Sequence, residues 1–107
     1  MRVKQTPSTK KYTLTSSETS KQLATSGGIE INAILVTGGA SSAVLRVIDS
    51  AAGSAEAGPG PGNFIVAANA GESTPFCPTK SVLVDRGLYI ELEQGAAQNG
   101  EATIFYD

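Results

Sequence analysis

The sequence predicts an all-β domain, an antiparallel β-sandwich of about eight short strands, and three observations carry that expectation. Runs rich in β-branched and aromatic residues, many alternating with period two, recur from Lys11 to Tyr106. Clusters of Gly, Ser, Asn and Pro separate them at short intervals. No stretch carries the spacing of an amphipathic helix. A jelly-roll-like wrapping is one arrangement such a sandwich can take, although strand order is not written in a single sequence.

Residues 1–10, MRVKQTPSTK, lack apolar periodicity and contain Pro7, which predicts a basic N-terminal arm ahead of a single body spanning 11–107. Lys11–Thr15 alternates, with Tyr12 and Leu14 on one face, and Ser20–Thr25 forms a second short strand. Both have the Lys, Ser and Thr content of edge strands. Ile29–Val36 reads as a pleated, largely buried strand, with Ile29, Ile31, Ala33 and Leu35 on one face and Glu30, Asn32, Ile34 and Val36 on the other. Gly38-Gly39 then predicts a tight turn into Ala43–Ile48, so the two runs are expected to pair as a central hairpin. In the returning run Leu45 and Val47 share one face, and Arg46 takes the face toward water or a partner.

The stretch 51–62, AAGSAEAGPGPG, is an exposed loop. Its glycines do not make a phosphate cradle, because no Gly-Lys-Ser/Thr ending and no helical run follow. Asn63–Ala68 is a strand, and the prolines flanking Phe76-Cys77 restrict that piece to extended or turn geometry. Lys80–Val84 leads to a turn at Asp85-Arg86-Gly87. Gly87–Gln94 alternates strictly, Leu88, Ile90 and Leu92 inward and Tyr89, Glu91 and Glu93 outward. With Asn99-Gly100 as the turn, Glu101–Tyr106 is expected to close a second hairpin, placing Ala102, Ile104 and Tyr106 on one side.

At 107 residues the chain makes one domain with a modest core. An oligomer, or docking on a larger body, is the expected source of further stability. One cysteine and no histidine rule out an internal disulfide and a Cys/His metal site. No run reaches the roughly 20 apolar residues of a membrane-spanning helix, and no apolar signal stretch opens the sequence; a cytoplasm, or an assembly built in one, is the expected address. Charge is unevenly placed. Residues 1–21 sum to +4 and residues 22–107 to −6.

Catalytic chemistry finds little footing. Glu91 and Glu93 lie two apart on a solvent-facing strand surface, the usual place for solvating charge, and Asp49, Glu56, Glu72 and Asp85 lack calcium-loop spacing. Cys77 has no histidine to activate it and is expected to pack as a small hydrophobe. We therefore expect no catalytic residues, no cofactor and no metal. The absence of Trp weakens a sugar-stacking platform, and the acidic body argues against dedicated nucleic-acid binding. The candidate partner-binding residues are the cations Arg2, Lys4, Lys10 and Lys11, acting as a clamp on an acidic or phosphate-bearing neighbour.

The paired segments AILVTGGASSAVLRVIDSAAG and KSVLVDRGLYIELEQGAAQNGEATIFYD, between residues 33 and 107, resemble small virion structural proteins of tailed bacteriophages. The shared pattern is a strand, Gly-Gly and a strand ending in Asp, then a Gly-rich loop, then a strand, Gly-Leu-Tyr and a closing strand. The resemblance implies a non-enzymatic capsid decoration or cement protein that stabilises the head, a homo-oligomer with a trimer favoured. It further implies the major capsid protein or another virion protein as partner, and the virion, assembled in the host cytoplasm, as location. The alternative it leaves is a tail, head-tail or fibre-associated component with a host-surface or carbohydrate-binding role. A free ligand-binding domain is the third reading.

Overall fold

The computed structural model describes residues 10–53, 63–95 and 99–107, and in them the chain is all strand and turn, without helix. Nine strands form among the described residues: β1 (Lys10–Leu14), β2 (Ser20–Ala24), β3 (Ile29–Thr37), β4 (Ala43–Ile48), β5 (Phe64–Ala68), β6 (Ser73–Phe76), β7 (Val82–Val84), β8 (Leu88–Gln94) and β9 (Glu101–Tyr106). One antiparallel sheet has the order β1-β9-β3-β6, with β7 also on β3; the other runs β2-β8-β4-β5. The β-sandwich is as expected from the sequence, with β6 as an addition. Its Pro75 is tolerated because β6 is an edge strand, where a missing N–H does not interrupt a ladder.

The pairings β1·β9, β2·β8, β3·β6 with β7, and β4·β5 are nested one inside the next. The chain is thus one long antiparallel ribbon, doubled back at the connection between β4 and β5. Wrapping that ribbon brings β9 against β3 and β8 against β4, which closes the two sheets. This is jelly-roll topology.

The ribbon overturns both expected hairpins. β3 already has β9 on one edge and β6 and β7 on the other, so β4 crosses into the opposite sheet; β8 and β9 are likewise separated. The glycines at the first crossover serve close approach. A Cβ on Gly38 would stand 2.1 Å from the Asn69 carbonyl oxygen, and one on Gly39 would stand 1.7 Å from Asn99 Oδ1. Asn99 Oδ1 accepts the Ala40 N–H at 2.7 Å, and the Gly100 N–H donates to Gln94 Oε1 at 2.7 Å. The two crossover turns therefore brace one another at one end of the sandwich.

The faces of β3 also differ from simple alternation. A bulge falls between Ile31 and Ala33, so Ile31 points inward before it and Ile34 and Val36 point inward after it. Leu35 is consequently turned outward, 42% exposed. One extra residue in a strand moves every later side chain to the other face. Asn32, at the bulge, donates to Asp107 Oδ2 at 2.9 Å and accepts from the Ser81 hydroxyl.

Between the sheets the core gathers Leu14, Ile31, Ile34, Val36, Leu45, Val47, Leu88, Ile90 and Ile104, all buried, with Ala102 and Tyr106 beside them. Burying each large aliphatic side chain contributes about 1.5–3 kcal/mol. On β4, β8 and β9 the inward and outward residues follow the alternation of the sequence. Arg46 faces out and pairs with Glu93 of the neighbouring strand.

Candidate partner-binding edge

Of the four cations singled out in the sequence, Arg2 and Lys4 lie outside the described residues, while Lys10 and Lys11 open β1. Lys10, expected as the last residue of the arm, is paired with Tyr106 in the sheet. β1 is the outermost strand of its sheet, with β9 as its sole ladder partner among the described residues. Every second backbone N–H and C=O along it therefore points away from β9.

The fold brings a third lysine to this edge. Lys21, on β2 of the facing sheet, places Nζ 5.7 Å from the centre of the Tyr12 ring, as Lys10 Nζ lies 5.8 Å from that of Tyr106. Both distances are within reach of cation–π attraction. Glu18, the one carboxylate in the β1–β2 connection, accepts the Tyr12 hydroxyl, which pushes the Tyr12 phenol up. Among the described residues Lys10, Lys11 and Lys21 make no ion pair, and the one salt bridge is Arg46–Glu93. Sequence reasoning missed Lys21 and both tyrosines, because they join Lys10 only when two sheets stack. The sole sequence signal was the surplus of positive charge before residue 22.

A second polar cluster serves the fold. Asp49, just past β4, is 2% exposed, and its carboxylate receives the N–H groups of Asp85 at 3.0 Å, Arg86 at 2.7 Å and Gly87 at 3.3 Å. Burial by itself raises this carboxyl, but the three backbone donors and the Arg86 charge outweigh it and hold it below the ordinary carboxylate range. The Asp49 N–H in turn donates to Asn63 Oδ1 at 2.7 Å, closing the base of the β4–β5 connection.

Gln22 works beside it. Its Nε2 donates to the carbonyls of Ala24 at 2.8 Å and Ser50 at 2.7 Å, and its Oε1 accepts the Gly53 N–H at 2.8 Å. Together Asp49 and Gln22 tie β2, the segment leaving β4 and the β7–β8 turn into one unit. The Asp49 carboxylate is thus buried and engaged by backbone donors that hold the 85–87 turn. From the sequence Asp49 was a loop carboxylate; nothing local announced that the 85–87 turn would fold over it.

Cys77 is exposed after β6, which corrects the expectation of a packed small hydrophobe. β6 stops at Phe76 and Pro78 follows directly, so the thiol falls in the connection rather than under a sheet. Glu91 receives the Tyr89 hydroxyl at 3.4 Å and Glu93 pairs with Arg46, both on the outer sheet surface. Among the described residues no group of three or more His, Cys, Asp or Glu could hold a metal ion.

Comparison with protein-family models, with curated proteins and with solved structures returned no match.

Proposed function

We propose that this chain is a non-enzymatic virion structural protein of a tailed bacteriophage, acting as a capsid decoration or cement subunit that stabilises the head. The observation that carries the reading is how its polar groups are used. Asp49 and Gln22 are engaged inside the fold, while Lys10, Lys11 and Lys21, with no ion pair among the described residues, border the outermost strand of a sheet on its two faces. That is the pattern of a body built to be held against something rather than to turn over a substrate. The resemblance of residues 33–107 to small phage virion proteins points the same way, and jelly rolls occur among capsid proteins as well as elsewhere. On this reading the partner is the major capsid protein or another virion protein. The assembled form is a homo-oligomer, a trimer for preference, and the location is the virion.

Counting copies in purified particles of the phage that encodes the chain tests the proposal. Hundreds of copies per particle, with density on the head, support decoration. A small symmetric number confined to the tail moves the protein to the alternative reading, a tail or fibre-associated component. Absence from the particle refutes both.

A further inference from the structure

Resting on that reading, we propose that the outer edge of β1, without a ladder partner among the described residues, takes an extended acidic segment of the partner protein as an added strand, with Lys10, Lys11 and Lys21 selecting it by charge. Two features make the site. The outward backbone groups of Lys10–Leu14 are a ready template for one more strand. Lys10 and Lys21 border this template on the core-side face, over the Tyr106 and Tyr12 rings, and Lys11, alternating with Lys10 along β1, borders it on the outer face.

Lysines on an edge ordinarily prevent pairing, and here the same repulsion becomes discrimination. Two copies of this chain meeting β1 to β1 in antiparallel register would set Lys10 against Leu14 and Lys11 against Thr13, a pairing that offers the ammoniums no opposite charge. A neutral strand would leave the ammoniums uncompensated at its border. A strand carrying Asp or Glu removes the repulsion and gains charge-assisted contacts.

Nucleic acid fits less well. The Tyr106 and Tyr12 rings carry the Lys10 and Lys21 ammoniums, and residues 22–107 carry a −6 charge that repels a long polyanion. A short acidic segment confined to the edge avoids most of that field, which is screened over about 8 Å at physiological ionic strength.

The test uses the full chain and three probes: a short peptide alternating Glu and Thr, the same peptide with Lys in place of Glu, and a single-stranded oligothymidylate of equal net charge to the first. Fluorescence anisotropy should find the acidic peptide bound more tightly than either of the others. The combined variant Lys10→Gln, Lys11→Gln, Lys21→Gln should lose about tenfold or more in that affinity, a loss of the size expected for several charge-assisted contacts. Lys80→Gln, which removes an exposed lysine elsewhere, should not. Amide exchange should slow within Lys10–Leu14 when the acidic peptide binds, a readout that loose charge attraction would leave unmoved. A thermal melt confirms that each variant is folded.

Tighter binding of the oligothymidylate, an equal loss from Lys80→Gln, unaltered exchange in β1 or no binding of the acidic peptide would each overturn the inference. The particle count decides the virion reading separately. A protein absent from particles whose edge still takes the acidic peptide refutes that reading alone, and a protein abundant in particles whose edge fails these assays refutes the edge alone.

Discussion

Replacing Asp49 by Ala is expected to destabilise the domain by about 2–4 kcal/mol at neutral pH, and the figure follows from what the carboxylate holds. Three backbone N–H groups lose a charged acceptor. Those of Asp85 and Arg86 belong to exposed residues and regain water, whereas Gly87 is buried and its N–H is left without a partner. Hydrogen bonds to charged groups contribute about 1.5–3 kcal/mol each, and rehydration offsets much of two of them. Against the roughly 5–15 kcal/mol of an ordinary domain this is a large fraction. Asp49→Asn keeps a neutral acceptor and should cost about half as much.

The dependence on pH gives the reasoning a sign. The folded carboxyl lies below its ordinary value, so its contribution is complete above about pH 4 and is lost as pH falls through the lowered folded value. Urea unfolding should therefore find the gap between wild type and Asp49→Ala constant from neutral down to about pH 4 and closing below it. A gap under about 0.5 kcal/mol at neutral pH, the range of ordinary surface substitutions, would refute the argument. So would a gap that persists undiminished in acid.

Three further expectations follow from packing and topology. Gly38→Ala should destabilise by more than Gly71→Ala, because a Cβ at Gly38 meets the Asn69 carbonyl at 2.1 Å, while Gly71 has open space and only the roughly 1–2 kcal/mol strain of its positive φ; chemical denaturation ranks the two. Ile104→Ala should cost about 2–5 kcal/mol, whereas Ile65→Thr, at a site 60% exposed, and Cys77→Ser should stay within about 0.5 kcal/mol in the same assay. Removing residues 101–107 should abolish cooperative unfolding, since β9 lies between β1 and β3; a truncated chain with a sharp thermal transition would contradict this.

Strand positions were legible because alternation is local: Leu88, Ile90 and Leu92 announce their face within a few residues. Pairing was not. Gly38-Gly39 and Asn99-Gly100 look like hairpin turns, yet whether a turn returns a strand to its own sheet or sends it across depends on which edges are already taken, and that is decided by partners as far apart in the chain as Lys10 and Tyr106. The bulge at Asn32 was half visible. The change of β3's second face from polar Glu30 to apolar Ile34 and Val36 is the mark of a phase slip, which strict alternation over Ile29–Val36 passes over. Lys10 and Lys11 were legible as surplus charge. Lys21, Tyr12 and Tyr106 became neighbours only through the stacking of the sheets, and the Asp49 clasp only through the return of the 85–87 turn.

The nested ribbon also sets how the domain bears load. Lys10 and Tyr106 sit opposite one another at its open end, so a force separating the two termini acts across the β1·β9 ladder and opens it rung by rung. Each rung resists with only the roughly 0.5–1.5 kcal/mol net of a single hydrogen bond. A force directed along β1 instead shears all of its rungs together. An attachment along the edge of β1 therefore puts the stronger direction of the sheet under tension, whereas two tethers diverging from the termini would unzip it. Single-molecule pulling should find a low, stepwise opening force between the termini; a single high-force rupture in that geometry would show that the ribbon does not unzip from its ends.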